Sequence, residues 1–109
     1  MRDIQQYMEW TRSTAVYPAE QALQYTALGL AGEVGEVCNS LKKVYRDDQG
    51  CVTPERRANL AKELGDVFWY LARLSDELEL YLPAVLGNNV SKLEDRLSRD
   101  VIKGSGDER

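Results

Sequence analysis

Two long stretches of this chain repeat apolar residues at alternating spacings of four and three, and that period constrains the fold more than any other feature. Leu23, Ala27, Leu30, Val34, Val37, Leu41 and Val44 make the first series, and Leu60, Leu64, Val67, Leu71, Leu74 and Leu78 the second. A helix turns about 100° per residue, so each series lies on one narrow stripe, whereas a strand would scatter it over both faces. The spacing predicts helices from about Glu20 to Arg46 and from Pro54 to about Tyr81. Between them, Asp47-Asp48-Gln49-Gly50-Cys51-Val52 is a polar break with the glycine that a tight turn uses. Thr53 then offers a cap, Pro54 suits the first helical position, and Glu55 meets the positive end of the helix.

Ile4, Tyr7, Met8 and Thr11 share a face in a shorter helix expected over residues 3 to 14. A fourth is expected from Pro83 to about Asp100, although no Ser, Thr, Asp or Asn caps it and Gly87 weakens it. The expected class is all-α: a helical hairpin with two further helices, resembling a four-helix bundle. The 109 residues fit a single domain, with a tail from about 101 to 109 too polar and glycine-rich for helix. Such a hairpin cannot bury both sides of its seam alone, so a homodimer or homotetramer is expected to complete it.

The chain has no histidine. That removes the usual general base at neutral pH, imidazole-activated nucleophiles and histidine-ligated zinc. Carboxylates with a hard metal ion are the remaining tools for an enzyme. With 18 acidic against 14 basic residues and no long basic run, the chain is not expected to bind nucleic acid. No stretch approaches the ~20 apolar residues that cross a bilayer, and the start, Met1-Arg2-Asp3-Ile4-Gln5-Gln6, lacks the apolar run of a signal peptide. Cys38 and Cys51 form no disulfide framework and no CxxC. A cytoplasmic setting is expected.

The two long helices echo each other. Leu30-Ala31-Gly32-Glu33-Val34-Gly35-Glu36-Val37 matches Leu60-Ala61-Lys62-Glu63-Leu64-Gly65-Asp66-Val67 at an offset of 30 residues. Acids three apart lie about 60° from each other, so each copy puts a carboxylate pair on one face, just beside the apolar stripe. Glu33 and Asp66 are equidistant from the Gln49-Gly50 step, as are Glu36 and Glu63. A hairpin turning there sets the four carboxylates across one interface, where they stay ionised together only with a cation. An all-oxygen donor set selects magnesium, or manganese, over zinc or copper. Gly35 and Gly65, each a costly residue inside a helix, suggest close approach of a helix or ligand between the acids.

Glu33-Val-Gly-Glu36 and Glu63-Leu-Gly-Asp66, with Trp69-Tyr70 just after and Asn89-Val-Ser-Lys92-Leu-Glu-Asp-Arg96 farther on, resemble the MazG-type all-α nucleoside triphosphate pyrophosphohydrolases. The likeness runs from about Tyr17 to the Gly104-Ser-Gly-Asp107 tail and is strongest to small single-domain members, some phage-encoded; for those the setting is the host cytoplasm. The resemblance implies hydrolysis of a (deoxy)nucleoside triphosphate to monophosphate and pyrophosphate, with magnesium held by Glu33, Glu36, Glu63 and Asp66. Lys92 and Arg96, four apart on the last helix with Asn89 one turn earlier, match the family's phosphate-contacting Asn, Lys, Arg pattern; an exposed polar face is the competing reading. Lys42, Lys43 and Arg46 sit where cations favour the helix dipole, and Lys43 is the best phosphate candidate among them. Tyr70 resembles a family tyrosine near the metal or sugar. Trp69 suits a subunit contact, and Trp10 and Tyr17 suit core packing more than base stacking. The Gly104-Ser105-Gly106 backbone suits an anion nest or a disordered tail. Two other functions fit the pattern: a phosphoribosyl-ATP pyrophosphatase, and a non-catalytic helical adaptor.

Overall fold

The computed structural model describes residues 3–109, so Met1 and Arg2, where the sequence is expected to carry no signal peptide, lie outside the described part. Four helices account for most of it: α1 (Ile4–Thr11), α2 (Ala22–Asp47), α3 (Pro54–Glu77) and α4 (Leu82–Ser98), with no strand among the described residues. The class is all-α, as the periodicity predicts.

Local chemistry sets most of the helix ends. Asp3 and Gln6 form a reciprocal capping box at α1, at 2.8 and 3.1 Å. Thr53 Oγ1 accepts the Arg56 N–H at 3.1 Å, with Pro54 following at the start of α3. Gln49 (φ 55°) and Gly50 (φ 79°) turn the chain through left-handed backbone at the step where the acid motifs place the hairpin's midpoint. A 2.8 Å ion pair from Arg56 to Asp48 ties the two sides of that turn. Helix α3 stops at Glu77, short of the expected Tyr81. Glu79 adopts φ 59° and the Leu80 N–H bonds back to the Ser75 carbonyl at 2.9 Å, a closure that turns the chain before Pro83. Leu82 opens α4 with Pro83 in its first turn and no side-chain cap.

Helices α2 and α3 pack along their length. Helix α1 lies against α3, and α4 packs on α1 and α3. Met8, Ala72 and Leu82, flanked by Ile4 and Tyr7, form the buried apolar core where these three helices meet.

The hairpin departs from the expected seam. On α2 the most covered line is Ala22, Thr26, Gly29, Glu33, Val37, Ser40 and Val44; on α3 the half-buried Leu60, Glu63, Val67, Tyr70 and Leu74 form a line, with Ala72, Arg73 and Ser75 buried toward its C-terminal end. The interface is rotated by about one residue toward the acidic flank, so Glu33 and Glu63 stand in it rather than beside it. The displaced apolar residues Leu23, Val34 and Leu64 face outward, each 44–49% exposed, and Phe68 joins them at 53%. The apolar stripe is wider than one neighbouring helix covers. Uncovered surface shows in the dimensions too: 7898 Å² of accessible area, against about 6,100 Å² for a compact chain of this mass. The radius of gyration is 16.9 Å, against about 13 Å for a compact chain of this length.

Candidate functional site

Glu63 is the most fixed of the four acids. Its Oε1 accepts hydrogen bonds from Ser40 Oγ on α2 at 2.8 Å and from Asn59 Nδ2 one turn earlier on α3 at 3.2 Å. Its Oε2 is buried with no hydrogen-bond partner. A buried carboxylate oxygen without a donor is costly, and a bound cation relieves that cost.

Glu33 stands in the same interface, half-buried. Burial first, then the negative charges of Asp66, Glu36 and Glu63, raise its carboxyl above the usual carboxylate range. The charges of Asp66, Glu36 and Glu63 therefore reach Glu33. Among the described residues, however, no group of three or more His, Cys, Asp or Glu side chains is already gathered as a metal-binding set.

Tyr70 joins the acids to an aromatic group. Its ring lies 4.9 Å from Trp69 and 6.3 Å from Tyr25, and Tyr17 stacks on Tyr25 at 5.0 Å. Burial leads in raising the Tyr70 phenol, followed by the bond and charge of Tyr25 and the charges of Glu33 and Asp66. The ring passes directly over Gly29, where a Cβ would stand 2.1 Å from Tyr70 Cε1. Gly29 and Tyr70 are equidistant from the Gln49-Gly50 step, like Glu33 and Asp66, which fixes the register of the hairpin.

The close approach of the neighbouring helix thus belongs to Gly29, which corrects the expectation of a helix contact at Gly35 and Gly65. A Cβ at either of those meets nothing within 4 Å. Within the chain, the Trp69 indole N–H donates to Thr14 Oγ1 at 2.8 Å, and its ring meets Tyr17 edge-on at 6.5 Å. Trp10 is 40% exposed beside Tyr7 rather than packed in the core.

Arg73, to which the sequence assigns no role, is almost fully buried. It bonds Asp76 at 2.7 Å, Glu77 at 3.0 Å and the Tyr17 hydroxyl at 3.0 Å. Arg12 completes the cluster with a two-pronged pair to Asp76 at 2.8 and 2.9 Å. These bonds pin the segment between α1 and α2 to α3, and with it Tyr17.

The cations expected at phosphates do not bond the carboxylates. None of Lys43, Asn89, Lys92 or Arg96 has a hydrogen bond or ion pair to the four acids among the described residues. Lys43 is half-buried near the end of α2, and Asn89 is exposed on α4. Lys92 Nζ pairs with Asp107 Oδ1 at 2.8 Å, and Arg96 Nη2 reaches the same oxygen at 3.1 Å. The glycine-rich tail therefore folds back on α4, in contrast to a disordered end.

Ser40, Asn59, Gly29 and Tyr25 are the contributors that spacing misses. Asn59 alone left a signal, sitting one turn before Glu63 on the same flank.

No helix among the described residues is long and apolar enough to cross a membrane. No solved structure matches the chain. The gene 37 protein of Mycobacterium phage L5 is 45% identical over 102 residues, an alignment covering 88% of this chain and 90% of that protein. The profile of the MazG nucleotide pyrophosphohydrolase domain matches residues 21–99, which include both acid pairs, the Ser40 and Asn59 contacts to Glu63, and the Gly29-Tyr70 crossing. With that match over well over half its length, on the helices that carry the acids, the chain belongs to the MazG nucleotide pyrophosphohydrolase domain family, whose general activity is nucleotide pyrophosphohydrolysis.

Proposed function

We propose that this chain hydrolyses (deoxy)nucleoside triphosphates to the monophosphate and pyrophosphate, with magnesium held by Glu33, Glu36, Glu63 and Asp66. The observation that carries the reading is Glu63: one oxygen is anchored by Ser40 and Asn59, and the other is buried without a donor. The donors fit a hard divalent ion, being all carboxylate oxygens, with one buried atom in need of positive charge. Magnesium, or manganese in its place, supplies charge neutralisation for the polyphosphate and acidification of water.

The chain's own residues do the rest. Ser40 and Asn59 hold the Glu63 carboxylate in one orientation, as residues behind a metal ligand do. One of the four carboxylates is suited to accept a proton from the attacking water. Tyr70, seated on Gly29, offers its ring to the sugar or base beside the acids. Lys92 and Arg96, with Asn89 and Lys43, are the cations and donors left for phosphate oxygens.

A second copy of the chain completes this site in our reading. The outward apolar line of Leu23, Val34, Leu64 and Phe68 needs covering, and the α4 cations pair with Asp107 and not with the four carboxylates. A homodimer or homotetramer answers both needs. Free, exposed Cys38 and Cys51 suit a reducing cytoplasm, that of the host for a phage-encoded chain.

A magnesium-dependent screen of the eight common ribo- and deoxynucleoside triphosphates tests the reaction. Pyrophosphate is the expected product, lost on adding EDTA and regained with excess magnesium. Orthophosphate as first product overturns the assignment. Turnover of phosphoribosyl-ATP alone reassigns the substrate, and absence of turnover with no thermal shift from magnesium and nucleotide supports an adaptor instead.

A further inference from the structure

The tail after α4 is a built structure. The Arg109 guanidinium donates to the main-chain carbonyls of Val101 at 3.0 Å, Ile102 at 3.0 Å and Gly106 at 2.6 Å. Arg99 returns a bond to the Arg109 carbonyl at 2.7 Å. Two glycines permit this wrap: a Cβ on Gly104 would stand 2.6 Å from Arg109 Cδ, and Gly106 adopts φ +82°. The wrap delivers Asp107 onto α4. Its carboxylate meets both Lys92 and Arg96, and its main-chain carbonyl also accepts a bond from Arg96 Nη2. Arg96 is left only 5% exposed, whereas Lys92 remains 41% exposed.

We propose that Asp107 is a positioning residue for a polyphosphate-binding cation pair, holding Arg96 against α4 and turning the Lys92 ammonium toward the substrate. This rests on the triphosphate reading above. A lysine side chain carries about 2 kcal/mol of rotamer entropy, so fixing it before binding removes that cost from the binding step. An ammonium has three N–H donors, and the bond to Asp107 uses one, leaving two for phosphate oxygens. A competing anion would hold the cations by its carboxylate alone. Asp107 also holds Arg96 through a main-chain carbonyl, which a phosphate displacing the carboxylate does not replace, so the tail stays in place as part of the site.

The test compares wild type with Asp107→Asn, Asp107→Glu, Lys92→Met and the double variant Lys92→Met/Asp107→Asn. Readouts are KM and kcat for the best triphosphate, calorimetric binding of magnesium tripolyphosphate, and Tm. Asp107→Asn keeps the shape and the main-chain carbonyl. It is expected to raise KM and the tripolyphosphate Kd about five- to tenfold, the effect of one lost charge-assisted contact, with kcat within about twofold. Asp107→Glu recovers part of the loss, and the double variant binds no more weakly than Lys92→Met. Tighter or unchanged binding in Asp107→Asn overturns the proposal, as do additive losses in the double variant or a wild type that binds no tripolyphosphate. If wild type releases no pyrophosphate from any nucleotide yet Asp107→Asn still weakens tripolyphosphate binding, the reaction is misassigned and the positioning role stands.

Discussion

Helix α3 carries two acid clusters about 15 Å apart along its axis, and they have opposite surroundings. Asp76 and Glu77 face Arg73 and Arg12 in a closed network, and the hydrogen bonds from Arg12 come first in lowering the Asp76 carboxyl to about 2. Glu63 and Asp66 face other acids, and the effect on neighbouring Glu33 is a raised carboxyl with burial as its first cause. Residue type is the same in both clusters; what differs is whether the fold supplies the counter-charge. Where it does, the carboxylates fasten the segment between α1 and α2. Where it does not, the carboxylates keep the uncompensated charge that the magnesium of the proposed function would neutralise.

The largest expected effect breaks the open cluster. Glu63→Gln leaves the Ser40 and Asn59 side chains with a partner but removes the charge that a divalent ion needs. Pyrophosphate release should fall on the order of 10²–10³-fold, while Tm in EDTA stays level or rises because a like charge has gone. A variant with full activity would remove Glu63 from the site.

The converse change acts on the closed cluster. Arg73→Ala takes a nearly buried guanidinium from Asp76, Glu77 and the Tyr17 hydroxyl, leaving Asp76 with Arg12 and Glu77 with Tyr17 as partners. Stability should fall by roughly 3 kcal/mol, on the order of 15 °C in Tm, with pyrophosphate release at low temperature reduced far less than by Glu63→Gln. Thermal melts beside a cold activity assay separate the two clusters. Equal losses of activity in both variants would show that they work as one unit.

Much of this contrast is legible in the sequence, and the reason is locality. Helices and hairpin turn follow from spacing, Thr53, Pro54 and Gly50, all of which act within a few residues. The acid site follows from a repeat symmetric about the turn. What escapes the sequence depends on which residues meet across helices. The period does not say that the stripe is too wide for its neighbour, so Glu33 and Glu63 move into the interface and Val34 and Leu64 out of it. Gly29 has no pattern to mark it until Tyr70 is seen lying over it. The tail escapes for a different reason, since Arg109 bonds main-chain carbonyls, which leave no mark in composition.

Gly29→Ala probes the link between the aromatic group and the acids with a smaller expected effect. The added methyl enters the Tyr70 ring, so the ring shifts or the helices part, costing about 1–3 kcal/mol. Catalytic efficiency should fall about tenfold as Tyr70 leaves its place by Glu33 and Asp66. Adding Tyr70→Ala should restore Tm but not efficiency. If it restores both, Tyr70 fills space and does not serve the reaction.

The smallest effect distinguishes the clusters by the sign of their response to pH. Asp76 has a lowered folded-state carboxyl, so its contribution is complete above the unfolded value near 4 and is lost as pH falls through about 2. Its full loss amounts to about 1–2 kcal/mol, reduced from the bare shift because its partner Arg12 is largely exposed. Glu33 runs the other way. Its raised carboxyl means that the folded state holds the proton more tightly, so stability declines as pH rises from the unfolded value through the folded one. Metal-free protein should therefore gain stability on acidification toward pH 4 and lose it below. Asp76→Asn should flatten the acid limb and Glu33→Gln the other, each leaving its counterpart intact. Magnesium should erase the Glu33 limb alone, because a bound cation favours the ionised carboxylate. Calorimetric melts from pH 2 to 7 with and without the metal decide it, and an acid limb that shifts with magnesium would mean that the closed cluster senses the ion as well.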